Sequence, residues 1–467
     1  MSRFGRRQER DFHVATQLSH VAQQDQRSQF HPFTSINDLK AEGPTVMASG
    51  SGVRVRDVNG KEYLDGMAGL WCVNLGYGRQ EICDAIAQQS QRLSFFHTFN
   101  GMSSDVVAEC SEALLARAPV PMSRVFFGAS GSDANETQLK LIWVYNNLRG
   151  KPEKKKIIAR WNAYHGSGVA TASLTGLPGM HTLFDLPKGP ILHVSAPNYY
   201  RNAPDGMSER DFSRQLAKEL EALIEREGPD TIAAFFVEAV MGAGGLIPPP
   251  EGYFEEITPI LKKHDILLVA DEVVSGFGRL GTYWGSQTYG YEPDLITSAK
   301  GVTSGYFPMS AVFISPKVWD VIEAGADKVG VFGHGYTYSA HPVGAAAALA
   351  ALKLIDDLKV VENVADVGPY MMQSLRDRLG QHPHVGDIRG KGLMLGIELM
   401  QDRGTKQTFP MANRTGRQVL KAAAERGLIT RALGDTLVFA PPLIISRTEV
   451  DEIVDKFALA VDDVLKS

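Results

Sequence analysis

The residues Asp294-Leu295-Ile296-Thr297-Ser298-Ala299-Lys300-Gly301 are the most informative segment for the fold class. Its apolar residues predict a short buried strand that ends at a turn carrying Lys300. Upstream, Ile266-Leu267-Leu268-Val269-Ala270-Asp271-Glu272-Val273 predicts a second buried strand, which ends on the acid Asp271. A lysine and an aspartate at the ends of two neighbouring strands can face one another across a bound molecule.

The chemistry of this pair points to one cofactor. A lysine amine forms a Schiff base with an aldehyde, and a carboxylate can keep a pyridinium nitrogen protonated. An acid that ends a strand is usually a cap or a solvated charge. Asp271 ends an otherwise apolar run, so we expect it to be partly buried, and a cationic partner would offset the cost of that burial. The pair therefore predicts pyridoxal phosphate (PLP) chemistry.

Segments on either side alternate between helical and strand patterns. Residues 209–227 carry Phe212, Leu216, Leu220 and Leu223 on one helical face, and 232–237 is a continuous apolar run. A helix over 253–263 and strands over 156–160 and 309–314 extend the alternation. This order predicts an α/β fold with a mostly parallel central sheet and helices on both faces.

The segment after His341-Pro342 has a different pattern of predicted secondary structure, in which short strands and helices are mixed. It predicts a smaller α+β domain. We expect an N-terminal segment, 1–75, to pack with it. The predicted domains are thus a large one over 76–341 and a small C-terminal one over 342–467.

Size and composition limit the function classes. The chain has 467 residues, 44% apolar and 22% charged, which is typical of a globular protein with two or three cores. A net charge of −5 gives no electrostatic reason to expect nucleic acid or a membrane as a partner. Three cysteines without metal-type spacing favour a reducing cytoplasm, and His382-Pro383-His384 lacks a third metal ligand nearby. The basic segment 2–7 is interpreted as a mobile tail or subunit arm rather than a mitochondrial address.

A phosphate site is predicted where a strand over 124–127 runs into Gly128-Ala129-Ser130-Gly131-Ser132-Asp133. Small residues let backbone N–H groups approach an anion, and the following helix, expected from Ala134, adds partial positive charge. The alternative is an ordinary helix start with Ser132 or Asp133 as the N-cap residue.

Several motifs together resemble the class III (omega) aminotransferases. Lys300, Asp271, the 130–133 turn and Tyr164-His165-Gly166 occur in the order seen in that family, and the resemblance runs from about Phe33 to the C-terminus. It implies fold type I, PLP as cofactor, and a homodimer with shared active sites. A dimer and a dimer of dimers both remain open.

The resemblance also assigns roles to residues. Lys300 and Asp271 are the implied catalytic pair, and Thr337 is implied to bind the cofactor phosphate of the partner subunit. Tyr164 is implied to stack on the cofactor ring. Val273 comes two residues after Asp271, so strand alternation predicts that it lies on the same side of the strand and presses on the opposite face of the ring. The other implied cofactor contacts are Ser130, Gly131, Ser132, His165 and Glu238, although the family often has proline where this chain has Ala239. The implied substrate contacts are Phe33, Trp71, Phe99, Tyr164, Ala243 and the carboxylate-binding Arg431.

Within the family, the segments 69–72, 161–164 and 240–243 resemble the branch that acts on amines with pyruvate. The implied reaction moves the amino group of a primary amine, diamine or omega-amino acid to pyruvate or another α-keto acid. With pyruvate it yields alanine and an aldehyde or ketone by a ping-pong mechanism.

Other functions are weighed against this one. An aminomutase, racemase or decarboxylase of similar fold would share the cofactor residues. Gly276-Phe277-Gly278-Arg279-Leu280-Gly281 matches the GxGxxG pattern of NAD-dependent oxidoreductases, but the sequence after it is a poor helix former. A catalytically silent binding protein is the remaining alternative, and the joint presence of Lys300, Asp271 and Arg431 argues against it.

Overall fold

The structure of the protein is a computed structural model that describes residues 19–182, 184–187 and 189–465. The basic segment 2–7 lies outside the described residues, so its interpretation stays a prediction. Within the described part of the chain, no helix is both long enough and apolar enough to cross a membrane.

The described residues form three sheets. The strands in chain order are β1 (Met47–Ser51), β2 (Arg54–Asp57), β3 (Glu62–Asp65), β4 (Arg124–Gly128), β5 (Lys156–Arg160), β6 (Ile191–Val194), β7 (Ile232–Glu238), β8 (Leu267–Asp271), β9 (Leu295–Ser298), β10 (Ser310–Ile314), β11 (Val385–Lys391), β12 (Met394–Leu399), β13 (Leu428–Ile429), β14 (Arg431–Leu433) and β15 (Thr436–Phe439).

Helices surround these sheets. In chain order they are α1 (His20–Ser28), α2 (Ile36–Glu42), the irregular α3 (Ala68–Trp71), α4 (Gln80–Arg92), α5 (Asp105–Leu115), α6 (Gly131–Leu148), α7 (Val169–Leu174), α8 (Pro178–His181), α9 (Tyr199–Asn202), α10 (Glu209–Glu227), α11 (Tyr253–Lys263), α12 (Gly285–Tyr289), α13 (Pro316–Ala324), α14 (Ala326–Val329), α15 (Pro342–Asp357), α16 (Val360–Leu379), α17 (Thr415–Glu425) and α18 (Arg447–Val464).

The central sheet has the strand order β4-β10-β9-β8-β7-β5-β6. Strand β10 is antiparallel to both of its neighbours, and the remaining pairs are parallel, so the predicted mostly parallel sheet is confirmed. Every residue of β7 is buried. Phe236 packs with the α6 side of the sheet, whereas Phe235 and Val237 pack with the α10 and α11 side. Because successive side chains of a strand point to opposite faces, a strand covered by helices on both sides must be apolar throughout.

The N- and C-terminal segments meet in a second sheet. Strand β13 pairs in parallel with β3, which completes the order β1-β2-β3-β13, and β11, β12, β15 and β14 form a third sheet. Helix α15 starts at Pro342, at the N1 position, and packs against α4 and α5. The domain boundaries at 75 and 341 stay predictions, since α15 links the two parts.

Strand register brings the carboxyl ends of three central strands together. Glu238 on β7 is paired with Asp271 on β8, and Asp271 is in turn paired with Thr297 on β9. Lys300 follows β9 after Ala299. In an open parallel sheet, this edge is where ligands bind.

The GxGxxG match at 276–281 does not have the geometry of a dinucleotide site. The segment forms turns, and the next helix, α12, starts at Gly285 rather than at Gly281. A pyrophosphate site of that type requires a helix N-terminus at the last glycine.

Candidate active site

A cavity of about 560 Å³ lies at the carboxyl edge of the central sheet. Residues from the central sheet, from the N-terminal segment and from β14 all line it. The predicted site residues found in its wall are Phe33, Trp71, Ser130, Gly131, Ser132, Tyr164, His165, Glu238, Ala243, Asp271, Val273, Lys300 and Arg431.

Lys300 leaves β9 with a φ of 44°, in the left-handed region that most residues avoid. This backbone conformation starts the turn at Gly301 and places the lysine in the cavity wall. Loss of hydration around the enclosed amine lowers the pKa of Lys300, while the charges of Asp271 and Glu238 oppose that shift. The amine is therefore more easily deprotonated than a surface lysine.

Asp271 ends β8 and is buried, with 5% of its surface exposed. Its Oδ2 accepts hydrogen bonds from His165 Nδ1 and Asn135 Nδ2, both at 2.8 Å. Its Oδ1 accepts the backbone N–H of Val273 at 3.1 Å. These donors all complement an ionised carboxylate.

Helix α6 begins earlier than predicted, at Gly131 rather than Ala134, and its N-cap is Ser130 rather than Ser132 or Asp133. Ser130 Oγ accepts the N–H of Asp133, and the Asp133 side chain accepts the N–H of Ser130, which is a capping box. In the described structure this leaves the first-turn N–H groups of Gly131 and Ser132 for a ligand in the cavity. The cap therefore leaves the predicted anion site available.

Two residues on the walls of the cavity could enclose a flat ring. Tyr164 follows β5, and its backbone N–H donates to Glu238 Oε1 at 3.1 Å. Val273 lies beyond the end of β8, so the expectation that strand alternation sets its side is wrong. Its methyl groups would lie 3.0 and 3.2 Å from a Cβ added at Gly131, so the glycine allows this close approach.

Glu238 holds two loops together. Its Oε2 accepts the N–H of Gly242 at 2.8 Å, in addition to the bond from Tyr164, and the side chain is buried. Burial raises the pKa of Glu238. The carboxylate thus fixes the segment that carries Ala243 into the cavity wall.

Arg431, on β14, is half-buried and lines the same cavity. No Asp or Glu of the described residues lies within ion-pair distance of its guanidinium. Burial lowers its pKa. A cation that faces a cavity without an internal partner is suited to bind an anionic ligand.

Two predicted residues lie outside the cavity of this single chain. Phe99 is 45% exposed, and Thr337 is exposed on a separate loop. The loops are neighbours, since a Cβ added at Gly335 would lie 3.3 Å from the Phe99 ring. Their predicted roles are therefore not met within one chain.

The family model for aminotransferase class-III matches residues 38–461. The chain belongs to the class III aminotransferases.

Proteins of similar sequence and structure support this family assignment. An uncharacterised aminotransferase, y4uB, from Sinorhizobium fredii is 49% identical, with 96% of this chain and 97% of that protein covered. A diaminobutyrate–2-oxoglutarate transaminase from Halomonas elongata is 47% identical, covering 94% and 95%. The crystal structure of an omega transaminase from Pseudomonas jessenii in complex with PMP superposes with a TM-score of 0.94 at 46% identity, covering 96% and 98%.

Class III aminotransferases depend on PLP, and the cavity of this member fits that cofactor. The capped end of α6 offers N–H groups for a phosphate, and buried Asp271 can face a ring nitrogen. Lys300 supplies an amine of lowered pKa. The predicted cofactor is therefore confirmed.

Several residues in the cavity wall were not predicted from the sequence, among them Asn135, Cys72 and Phe307. Asn135 and Gln138 are buried polar residues three positions apart on α6, but their burial comes from segments distant in the chain, so the sequence did not mark them. Phe307 and Cys72 lie in irregular segments, where no periodicity marks the inner face.

Proposed function

We propose that this class III aminotransferase transfers the amino group of a primary amine, diamine or omega-amino acid to pyruvate. The observation that carries the proposal is Arg431, a guanidinium that faces the cavity and has no carboxylate partner in the described structure. It is suited to grip the carboxylate of the keto acid in two places. The products are alanine and an aldehyde or ketone.

The residues that would hold the cofactor are assigned as follows. The N–H groups at the start of α6, with Ser130, Gly131 and Ser132, bind the phosphate. Tyr164 and Val273 lie against the ring, and Asp271 keeps the ring nitrogen protonated. When bound, PLP supplies an electron sink for negative charge that develops on the substrate carbon.

Lys300 carries the proton in this proposal. Its amine would take the proton from the substrate carbon as general base and deliver it, as general acid, to the C4′ carbon of the cofactor. Lys300→Ala should lower turnover by roughly 10³-fold or more, within the range measured for a lost general base. Turnover at the wild-type level in this variant would defeat the assignment.

Apolar walls support an amine as the first substrate. Trp71, Phe33 and Ala243 border the cavity together with Tyr164. Trp71 is 5% exposed, whereas Phe33 is 71% exposed at the rim. Apolar walls of this kind suit the carbon chain or ring that all three proposed classes of amine donor share.

Charge balance favours pyruvate over a dicarboxylic keto acid. Within the described residues, Arg431 is the only arginine in the cavity wall. The second carboxylate of 2-oxoglutarate would lack a guanidinium there, and an unpaired buried carboxylate is costly. The similarity to a diaminobutyrate–2-oxoglutarate transaminase makes 2-oxoglutarate the acceptor to test against pyruvate.

We further propose that a homodimer completes the site. Phe99 and Thr337 are exposed outside the cavity of one chain, which suits residues that serve the partner's site. In that assembly Thr337 binds the cofactor phosphate of the second subunit. Mixed dimers that carry Lys300→Ala on one chain and Thr337→Val on the other should retain one intact site, because the Lys300→Ala chain still lends its Thr337 to the site of its partner. A Thr337 that acts within its own chain would instead leave one impaired site.

The acceptor experiment is a two-substrate comparison on the purified holoenzyme. Alanine and glutamate are quantified after incubation of one primary amine with pyruvate or with 2-oxoglutarate. A higher kcat/KM for pyruvate, with parallel lines in double-reciprocal plots, is expected from a ping-pong mechanism. Higher kcat/KM for 2-oxoglutarate would reject the pyruvate assignment, and intersecting lines would reject the ping-pong mechanism.

A further inference from the structure

The two oxygens of Asp271 have different surroundings. Oδ2 accepts two side-chain hydrogen bonds, from His165 and Asn135, each at 2.8 Å. Among the described residues, Oδ1 is bonded to the backbone N–H of Val273 at 3.1 Å. A carboxylate oxygen has about two lone pairs, so Oδ2 is fully used and Oδ1 keeps capacity for one more donor.

Asn135 sits behind this carboxylate, in the second turn of α6, with 1% of its surface exposed. Its Nδ2 donates to Asp271 Oδ2 and to the carbonyl oxygen of His165, both at 2.8 Å. Both partners are acceptors, so the amide can be oriented in only one way. Its Oδ1 accepts the hydroxyl of Thr297 at 2.8 Å.

The chain of donors continues through the sheet. Gln138 Nε2 donates to Thr297 Oγ1 at 3.3 Å and to the carbonyl oxygen of Ile296 at 3.0 Å. Thr297 lies on β9, three residues before Lys300, and is paired with Asp271 of β8. Donors therefore point in one direction, from Gln138 through Thr297 and Asn135 to Asp271. Hydrogen bonds aligned in this way polarise one another.

We infer that Asn135 is a positioning residue, which holds Asp271 Oδ2 so that Oδ1 is presented to the ring nitrogen of the cofactor. The inference rests on the proposed role of Asp271 and deepens it. Asn135 belongs to the helix whose N-terminus would bind the phosphate, and Asp271 belongs to the neighbouring strand. One amide therefore sets the distance between the phosphate site and the nitrogen site.

Charged and titratable groups surround the hydrogen bond between Asn135 and Asp271. Asp271 lies opposite a second buried carboxyl, that of Glu238, in the pairing of β7 with β8. It also contacts the imidazole of His165, which follows Tyr164 in the loop after β5. Lys300 lies at the end of the next strand. The N–H donors on Oδ2 complement the carboxylate of Asp271 beside this second carboxyl.

The decisive measurement is the ¹⁵N NMR shift of the cofactor ring nitrogen, in holoenzyme reconstituted with ¹⁵N-labelled PLP. Asn135→Leu keeps a similar volume and removes the donor. We expect its ring-nitrogen signal to move from the pyridinium position toward that of a neutral pyridine, with kcat lowered about tenfold to hundredfold. The ring-nitrogen shift in Asp271→Asn shows how far the signal moves when the carboxylate itself is lost.

Asn146→Leu is the matched control. Asn146 lies on the same helix, is also 1% exposed, and bonds to the carbonyl oxygen of Ile142 and to Arg149 rather than to the site. Its ring-nitrogen signal should match that of the wild type. If Asp271→Asn moves the signal and Asn135→Leu does not, the inference is wrong. If Asp271→Asn leaves it unmoved, the proposed role of Asp271 fails instead.

Asn135→Asp keeps the shape of the side chain and tests the donor directly. At neutral pH its carboxylate would repel Asp271, and at lower pH its protonated form could donate again. We therefore expect kcat relative to wild type to rise as the pH falls from about 8 to about 6. A ratio that stays flat across this range, in a variant that binds PLP normally, would overturn the positioning role even if Asn135→Leu does not fold.

Discussion

Glu238 and Asp271 lie directly opposite each other on neighbouring parallel strands, at the sheet edge where Lys300 follows the next strand. Both carboxyls are buried, and the charge of each acts to raise the pKa of Lys300. Burial of the amine outweighs them and lowers that pKa. The site therefore combines a desolvated amine with two acids that partly hold its proton.

This balance predicts the effect of Glu238→Gln on the pH dependence of cofactor uptake. Only neutral Lys300 can react with PLP, so the uptake rate should rise as the pH passes upward through the lysine pKa. Removal of one negative charge lowers that pKa further, and the midpoint should move to lower pH. The measurement is the rate of absorbance change when the apoenzyme is mixed with PLP at a series of pH values.

An unchanged midpoint would mean that Glu238 is already neutral in the folded protein, as its own raised pKa allows. The substitution should also loosen the site, because both oxygens of Glu238 accept backbone N–H groups, those of Tyr164 and Gly242. The two N–H groups bond to different oxygens, and in a glutamine one of those positions becomes an NH2 group, which cannot accept. Asp84→Asn, at an exposed position on α4, serves as the control.

Arg431→Ala should separate the two half-reactions. Loss of the guanidinium leaves the keto-acid carboxylate without a partner, so kcat/KM for pyruvate should fall roughly 30-fold or more. The half-reaction with a neutral amine needs no such partner and should change by less than about threefold. Single-turnover absorbance changes of the cofactor report each half separately. Equal losses in both halves would remove the proposed role.

Most of the sheet was predictable because buried parallel strands are continuous apolar runs, such as 232–237, which became β7. Lys300 and Asp271 were predictable because the carboxyl ends of those strands share one edge. The start of α6 was not, because Ser130, Ser132 and Asp133 are all good N-cap residues and only tertiary packing selects Ser130.

Asn135 was missed for a different physical reason. Its hydrogen bonds reach residues 30, 136 and 162 positions away along the chain, which no local pattern encodes. Val273 lines the cavity, but the strand-alternation argument for its side does not hold, because β8 ends at Asp271. Contacts made by turns after strands depend on the whole fold.

Gly242→Ala should reshape the amine pocket. A Cβ at this position would lie 2.0 Å from Cζ3 of Trp71, far inside van der Waals contact, so the indole or the loop must move. Trp71 has a φ of 64° and little freedom to adjust. We expect a loss of about 1–3 kcal/mol in the free energy of unfolding, typical of overpacking, and a changed preference among amines of different width.

Gly179→Ala is the matched control, because nothing lies within 4 Å of a Cβ added there. Thermal unfolding and kcat/KM for a small and a bulky amine should be measured on both variants. A Gly242→Ala protein with wild-type stability and amine preference would contradict the view that Trp71 is a fixed wall.

The N-terminal segment that carries Phe33 is held to the rest of the protein by charges. Asp38, on α2, pairs with Arg414 and Arg417, and Glu42 pairs with Arg417 and Lys421 of α17. The hydrogen bond from Arg414 lowers the pKa of Asp38 from 3.8 to about 2. Because the pKa of Asp38 is lower in the folded protein than in the unfolded chain, its ionised form stabilises the docked segment at every pH above the unfolded pKa. That stabilisation is lost only as the pH falls from about 4 to about 2.

Asp38→Asn should therefore increase hydrogen–deuterium exchange of α2 by about two- to fivefold at pH 7, and 1 M salt should do the same to the wild type. Lowering the pH from 7 to 5 should leave the wild-type protection factors unchanged, because Asp38 stays ionised throughout. Asp84→Asn, which removes an exposed acid from α4, should leave α2 unaffected. Faster exchange in both variants alike, or a loss of protection between pH 7 and pH 5, would show that these ion pairs do not hold the segment beside the cavity.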